Sequence, residues 1–261
     1  MIDKPYVIGI DMHGTLLNQK EECPKKFHRR LRLAIQRVKP FARVYTCTGN
    51  DLLFVMDKLK GLLDLFDGHV LETGCVVSLD GKTEQILVTE KELEEIRALK
   101  KKIGERKFSW VTDGNRRRLA TISLFTDDPK GDHQDVQAFV DSVGFEKKVT
   151  VVHSSVAVDI KPVGYDKYIG LRFIAEGKKT IGIADSQNDA PLILLSDFAC
   201  VPANAAPELV NLVESQGRKV VDIFAAKSLQ RNQVAGASRK EVEGVIELLN
   251  FIADSLEKKK K

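Results

Sequence analysis

Tyr6, Val7, Ile8 and Ile10 make a short, nearly continuous apolar run that stops on an acid, Asp11. That is the pattern of a strand buried on both faces of a parallel sheet, and it delivers Asp11 to the strand's carboxyl end. From Pro24 to Lys39 the period changes: Phe27, Leu31, Ala34, Ile35 and Val38 fall at helical spacing, with Pro24 suited to a first turn. Phe41 to Cys47 is a second strand, and Leu52, Leu53, Val55, Met56 and Leu59 trace a second helix. Strand, helix, strand, helix predicts a parallel α/β sheet. His69 to Leu79 reads as two short strands around Thr73 and Gly74.

Between Gly81 and Ser154 the alternation breaks down. Glu90 to Ile103 is a charged helix, Lys107 to Val111 and Leu119 to Phe125 a strand pair, Gln134 to Val143 a second helix, and Val149 to His153 a further strand. The order predicts a small α+β layer inserted into the main domain, with D-G-N-R-R-R at Asp113 to Arg118 as its hairpin turn. The parallel pattern then resumes. Val156 to Ile160 is a strand, Tyr165 to Glu176 a helix with Lys167 in its first turn, and Lys178 to Ala184 a buried strand ending on Asp185. A strand to Val201, a helix at Pro207 to Glu214, a strand at Arg218 to Ile223 and a long helix from Ser238 to Leu256 follow. The predicted fold is therefore a Rossmann-like parallel core, residues 1–80 and 155–261, carrying a small α+β insertion, residues 81–154.

Composition narrows the classes. At 261 residues, 43% hydrophobic and 30% charged, the chain has the make-up of a soluble globular protein, and no apolar run reaches the length of a membrane helix. The start, M-I-D-K-P, carries no basic-then-apolar leader pattern, so the expected location is cytoplasmic. The four cysteines, Cys23, Cys47, Cys75 and Cys200, lack C-x-x-C spacing and read as buried thiols. The formal charge of +4 equals the Lys258 to Lys261 run, a tail expected to be solvated and frayed. Basic residues are interspersed with acids and no aromatic-basic stripe occurs, which argues against nucleic acid as partner.

Chemistry collects at the strand ends. Asp11 closes the first strand, Thr48 follows the second in T-G-N, and Asp185, Asn188 and Asp189 follow the later strand, with Lys167 at a helix start. Taken alone, D-x-x-G-T serves equally as a turn. Together, carboxylates without Cys or His spacing suit a hard cation such as Mg2+, and a lysine and a hydroxyl suit phosphate oxygens. Asp11 would then be placed to attack phosphorus.

With D-M-H-G-T at Asp11 to Thr15, T-G-N at Thr48 to Asn50, Lys167, and A-D-S-Q-N-D at Ala184 to Asp189, nearly the whole chain resembles the haloacid dehalogenase superfamily of phosphatases. E-T-G at Glu72 to Gly74 and P-A-N-A at Pro202 to Ala205 are similar to its archaeal phosphoglycolate phosphatase and sucrose-phosphatase group. The resemblance implies an aspartyl-phosphate mechanism, with the insertion as a mobile cap. It makes Asp11 the nucleophile and a Mg2+ ligand, and makes Asp185 and the main-chain carbonyl of His13 the other ligands. Thr48, Gly49, Lys167 and Asn188 would contact the phosphate, and Asp189 would orient Lys167 and a water. The implied partner is a small phosphorylated metabolite such as phosphoglycolate or a sugar phosphate, taken up by a monomer or homodimer without nucleic acid or membrane.

Two positions depart from the family pattern. Ala184 stands where Gly is usual, a change that a strand end tolerates. His13 stands where relatives carry the second Asp of D-x-D, which donates a proton to the leaving oxygen and then activates water. Histidine can do that work, but the carboxylates around it are expected to favour the charged imidazolium. Three readings follow: a working acid/base, a slow phosphatase, or a binding or regulatory relative that has lost turnover. Arg116, Arg117 and Arg118 read as a solvated hairpin tip, with contact to an acidic substrate as the alternative. His28, His69, His133 and His153 fit no ligand spacing and read as surface or packing residues.

Overall fold

The computed structural model describes residues 4–111, 113–114, 117–154 and 156–259. The chain divides into two compact units, one formed by Met1–Glu84 with Asp166–Lys261 and the other by Gln85–Tyr165.

The first unit is built on β1 (Tyr6–Asp11), β2 (Ala42–Cys47), β3 (Gly68–Leu71) and β4 (Val76–Ser78), with α1 (Lys25–Val38) and α2 (Leu52–Lys58) between the early strands. Both alternating sets of β1 residues are buried, Val7 with Gly9 and Ile8 with Ile10, as a strand covered on two faces requires. The chain leaves for the second unit through β5 (Gln85–Ile86) and returns at α5 (Lys167–Ala175), β10 (Lys179–Ile183), α6 (Ala190–Leu195), β11 (Phe198–Val201), α7 (Pro207–Ser215), β12 (Lys219–Asp222), β13 (Gln233–Gly236) and α8 (Glu241–Lys258). The sheet order runs β12-β13-β11-β10-β1-β2-β3-β4. Every pair from β12 to β3 is parallel, and β4 turns back antiparallel on β3. The chain builds outward from β1 in one direction through β2 and β3 and in the other through β10 and β11. The neighbouring ends of β10, β1 and β2 thus form the crevice where open α/β sheets bind ligands.

The second unit comprises α3 (Glu90–Arg106), β6 (Asp113–Gly114), β7 (Ile122–Phe125), α4 (Pro129–Ser142), β8 (Val149–His153) and β9 (Ala157–Pro162). Its sheet, ordered β6-β7-β9-β8, is antiparallel throughout. Ile96, Leu99 and Ile103 from α3 and Val136 and Val140 from α4 pack with Ile122, Leu124, Val158 and Ile160 of the strands. A capping box between Thr89 and Glu92 fixes the start of α3.

Several expectations are corrected. Val156 to Ile160 does not resume the parallel sheet, because β9 lies between β7 and β8 and pairs antiparallel with both. Lys107 to Val111 is not a strand: Lys107 ends α3 in the left-handed conformation, with φ 52°. The strand paired with β7 is instead Asp113–Gly114, so D-G-N-R-R-R begins inside a ladder; Asn115, within the expected hairpin turn, lies outside the described residues. Arg117 is exposed, but Arg118 is buried, with its guanidinium 3.9 Å from Asp159. Arg116 lies outside the described residues. β13 was not anticipated, its two buried apolar residues, Val234 and Ala235, being too short a run to stand out. Lys258 is the last residue of α8 and Lys259 lies over the Phe198 ring, so the start of the basic tail is held; Lys260 and Lys261 lie outside the described residues. The four cysteines are free thiols in the interior.

Candidate active site

Asp11, at the end of β1, is buried, with 2% of its surface exposed. The β1–β2 register sets it beside Cys47, so Thr48 leaves the next strand one position further on. Thr48 is buried and held in place by three bonds: its N–H donates to Val70 O, its carbonyl accepts from Thr73 N–H, and its hydroxyl accepts from Asn50 N–H. Gly49 begins the turn that follows.

Lys167 arrives from α5, and the residue before it starts the helix: Asp166 accepts from Ile169 N–H. The position of that helix start depends on Gly74. A Cβ on Gly74 would fall 1.9 Å from the main-chain oxygen of Asp166, and Glu72, Thr73 and Gly74 all have positive φ. E-T-G is therefore a tight left-handed bend that lets α5 approach β3 and bring Lys167 to the strand ends.

The Lys167 ammonium lies 2.6 Å from Asp11 Oδ1 and 2.5 Å from Asp189 Oδ1. Asp189 also accepts from the Ser186 hydroxyl at 2.7 Å. Thr15 Oγ1 lies 3.2 Å from Asp11 Oδ2 and 3.0 Å from Asp185 Oδ1, tying the ends of β1 and β10 together. The structure thus brings Asp11, Lys167, Asp185 and Asp189 into one cluster. Asn188, exposed in the short turn Gln187–Asp189, stands beside it.

Two contributors carried no sequence signal as site residues. The Asn204 amide donates to Gly14 O at 2.7 Å and to Asp185 Oδ2 at 3.2 Å, and its carbonyl accepts from Glu241 N–H at 2.7 Å. P-A-N-A was legible as a family likeness, but not as a brace on Asp185. Glu21 is the other. His13 Nε2 lies 3.4 Å from Glu21 Oε1, and Lys58 Nζ lies 2.9 Å from Glu21 Oε2.

Burial raises the pKa of Asp11, and the charges of Asp189 and Asp185 add to the effect against the pull of Lys167. Asp185 is raised as well, to about 6, by burial with a further push from Asp189, against the Thr15 hydrogen bond. Burial alone would lower Lys167, but Asp11 and Asp189 more than reverse it, so the ammonium stays charged. His13 goes the opposite way from the expectation: partial burial and the Lys167 ammonium lower its pKa, outweighing Glu21 and Asp189. Loss of water around the ring, with the Lys167 charge added, outweighs the carboxylates, so the neutral imidazole is favoured.

Ligand atoms of Asp11, Asp185 and Asp189 all lie within 4.8 Å of one another. Three carboxylates face one ammonium, and the surplus negative charge at this buried spot fits a small divalent cation bound through oxygen. Both Asp189 oxygens already face Lys167 and Ser186, which leaves Asp11 and Asp185 as the better ligands.

A carboxylate and lysine cluster at the switch point of a parallel sheet, beside a buried threonine, is suited to holding a cation and a phosphoryl group together. No family model matches the chain. A phosphoglycolate phosphatase of Methanopyrus kandleri is 27% identical over 214 residues, covering 78% of this chain and 87% of the relative. The sucrose-phosphatase of Synechocystis, solved with sucrose and phosphate, superposes with a TM-score of 0.67 at 16% identity, covering 95% of this chain and 97% of that one. A haloacid dehalogenase-like hydrolase from Bacteroides thetaiotaomicron gives a TM-score of 0.63 at 15% identity, covering 95% and 98%. The chain thus shares the fold of these hydrolases and is similar in sequence to a phosphoglycolate phosphatase.

Proposed function

We propose that this chain is a Mg2+-dependent phosphatase that hydrolyses a small phosphomonoester, of the phosphoglycolate or sugar-phosphate kind, through an aspartyl-phosphate on Asp11. The observation that carries the reading is the Lys167 ammonium held between Asp11 and Asp189 at the mouth of the sheet. Mg2+, held by Asp11, Asp185 and the His13 carbonyl, would supply charge to offset the phosphate dianion. The named activity of the archaeal relative supports the choice of a small acidic substrate.

In the first step an Asp11 oxygen attacks phosphorus, the bond from phosphorus to the substrate oxygen breaks, and that oxygen takes a proton from the imidazolium form of His13, the minor form at neutral pH, which leaves the ring neutral. Lys167 and Thr48 hold the phosphate oxygens in line for the attack. In the second step water gives a proton to the neutral His13 ring as its oxygen attacks phosphorus. The Asp11 oxygen leaves with the bonding pair, which restores the carboxylate and releases inorganic phosphate. An imidazole held below its ordinary pKa is in the state this second step needs. We place the enzyme in the cytoplasm, as a monomer or homodimer.

The test is release of inorganic phosphate from a panel of small phosphomonoesters, with Mg2+ or a chelator, by the parent and by Asp11→Asn. Release that needs Mg2+ and is abolished by Asp11→Asn is the expected result. Release that survives Asp11→Asn would refute the mechanism.

A further inference from the structure

His13 does not stand alone. One carboxylate oxygen of Glu21 lies 3.4 Å from His13 Nε2, and its other oxygen lies 2.9 Å from the Lys58 ammonium. Lys58 also sits 5.4 Å from the centre of the Phe54 ring, and that ring lies against the His13 imidazole at 5.2 Å between centres. Glu21, Lys58 and Phe54 therefore surround one edge and one face of the imidazole. Glu21 itself has φ 56°, a left-handed backbone that a non-glycine residue adopts at a cost. Asn18 holds it there: Glu21 N–H donates to Asn18 O, and the Asn18 side chain accepts from the N–H groups of Lys20 and Glu22. Backbone strain stored beside a reacting group points to a role for the side chain it presents.

We infer that Glu21 is the positioning residue for His13, making a His13–Glu21 pair, anchored by Lys58, that does the work of the aspartate found in relatives. The inference rests on the phosphatase reading above. On a single aspartate the two oxygens are chemically alike, so no partner is needed to choose which one carries the proton. An imidazole has two different nitrogens and must be told which one carries the proton. With the Glu21 carboxylate as acceptor, Nε2 carries it, and Nδ1 is left with the lone pair that can exchange a proton with the leaving oxygen and with water. The separation of 3.4 Å is long for a hydrogen bond, as such contacts often are before substrate is bound.

Two measurements on the full chain test this. In a two-bond 1H–15N spectrum above the imidazole's ordinary titration range, with His13 identified by the signal lost in His13→Gln, the parent is expected to show the Nε2–H tautomer. Glu21→Gln, which keeps an acceptor, is expected to retain it, and Glu21→Ala to relax to the tautomer mixture of a free imidazole. In turnover with Mg2+, Glu21→Ala is expected to lower kcat roughly tenfold with KM little changed. The same change made in a His13→Asp background is expected to cost little, because no ring remains to orient. Equal losses in both backgrounds would assign Glu21 a structural role and overturn the inference, as would an unchanged tautomer in Glu21→Ala. A chain that hydrolyses nothing sinks the phosphatase reading, while the tautomer spectra still decide the pairing.

Discussion

Gly14→Ala is the sharpest local perturbation of the site. Gly14 has φ +71°, and a Cβ built there lies 2.1 Å from Asp185 Oδ2 and 2.7 Å from its Cγ. Ordinary contact begins at 3.4 Å, so the Asp185 carboxylate must swing away by about 1 Å. That movement breaks the bonds from Thr15 and Asn204 that hold the carboxylate over the end of β10. Losing such orienting partners typically costs about 10- to 100-fold in metal affinity, or about 1.4 to 2.8 kcal/mol. The backbone cost of a side chain in the left-handed region, about 1 to 2 kcal/mol, comes in addition and acts on stability alone. Gly61→Ala separates the two: Gly61 has φ +84° and nothing lies within 4 Å of where its Cβ would stand, so it carries the backbone cost without the clash. Titration calorimetry with Mg2+, paired with thermal unfolding, reads both quantities. The expected result is a similar fall in Tm for the two variants and weakened Mg2+ binding for Gly14→Ala alone. Parental Mg2+ affinity in Gly14→Ala would refute the claim that Asp185 is a ligand braced in this position.

Other expectations follow from the same geometry. Lys167→Met leaves Asp11 and Asp189 facing each other without their shared ammonium, and kcat is expected to fall on the order of 10³-fold in a phosphate-release assay. Gly74→Ala, whose Cβ would strike the main chain at Asp166, is expected to destabilise by about 3 kcal/mol in denaturant unfolding, because neither side of the contact is a movable side chain. His69 is buried beside Thr46 Oγ1 at 2.8 Å, and burial lowers its pKa from 6.5 to about 4. Its folded pKa lies below its unfolded one, so the neutral ring's contribution is complete above pH 6.5 and is lost as pH falls toward 4, a total of about 3 kcal/mol. Unfolding free energies of the parent and His69→Gln should converge by that amount between neutral pH and pH 4; parallel curves would contradict it.

The sequence was most readable where one physical rule acted alone. Apolar runs ending on Asp11 and Asp185 disclosed β1 and β10, because a strand covered on both faces has no polar positions to blur its limits. The second unit was harder to read because a half-exposed antiparallel strand leaves few apolar residues: β6 is two residues long, and β9 reads like a core strand until its antiparallel neighbours are known. At the site, Asp11, Lys167, Asp185 and Asp189, which the structure brings together, stood out in the sequence by their chemistry and order. Those that hold them were not. Asn204 reaches Asp185 from a loop 19 positions later in the chain, and Glu21 reaches His13 through a strained turn, and neither relation leaves a spacing rule. The sign of the His13 shift was also beyond the sequence, since it depends on how close Lys167 comes and how much water the ring loses.

The central claim, that Asp11 carries the phosphoryl group, is tested most directly by acid-quenching the enzyme during turnover with Mg2+ and measuring the mass of its peptides. The expected result is the added mass of one phosphoryl group on the peptide containing Asp11, absent in Asp11→Asn and increased in His13→Gln with an aryl phosphate, whose leaving group needs no proton, so that only the second step is slowed. Turnover with no phosphorylated peptide in the parent or in His13→Gln, or phosphate found on another residue, would contradict it.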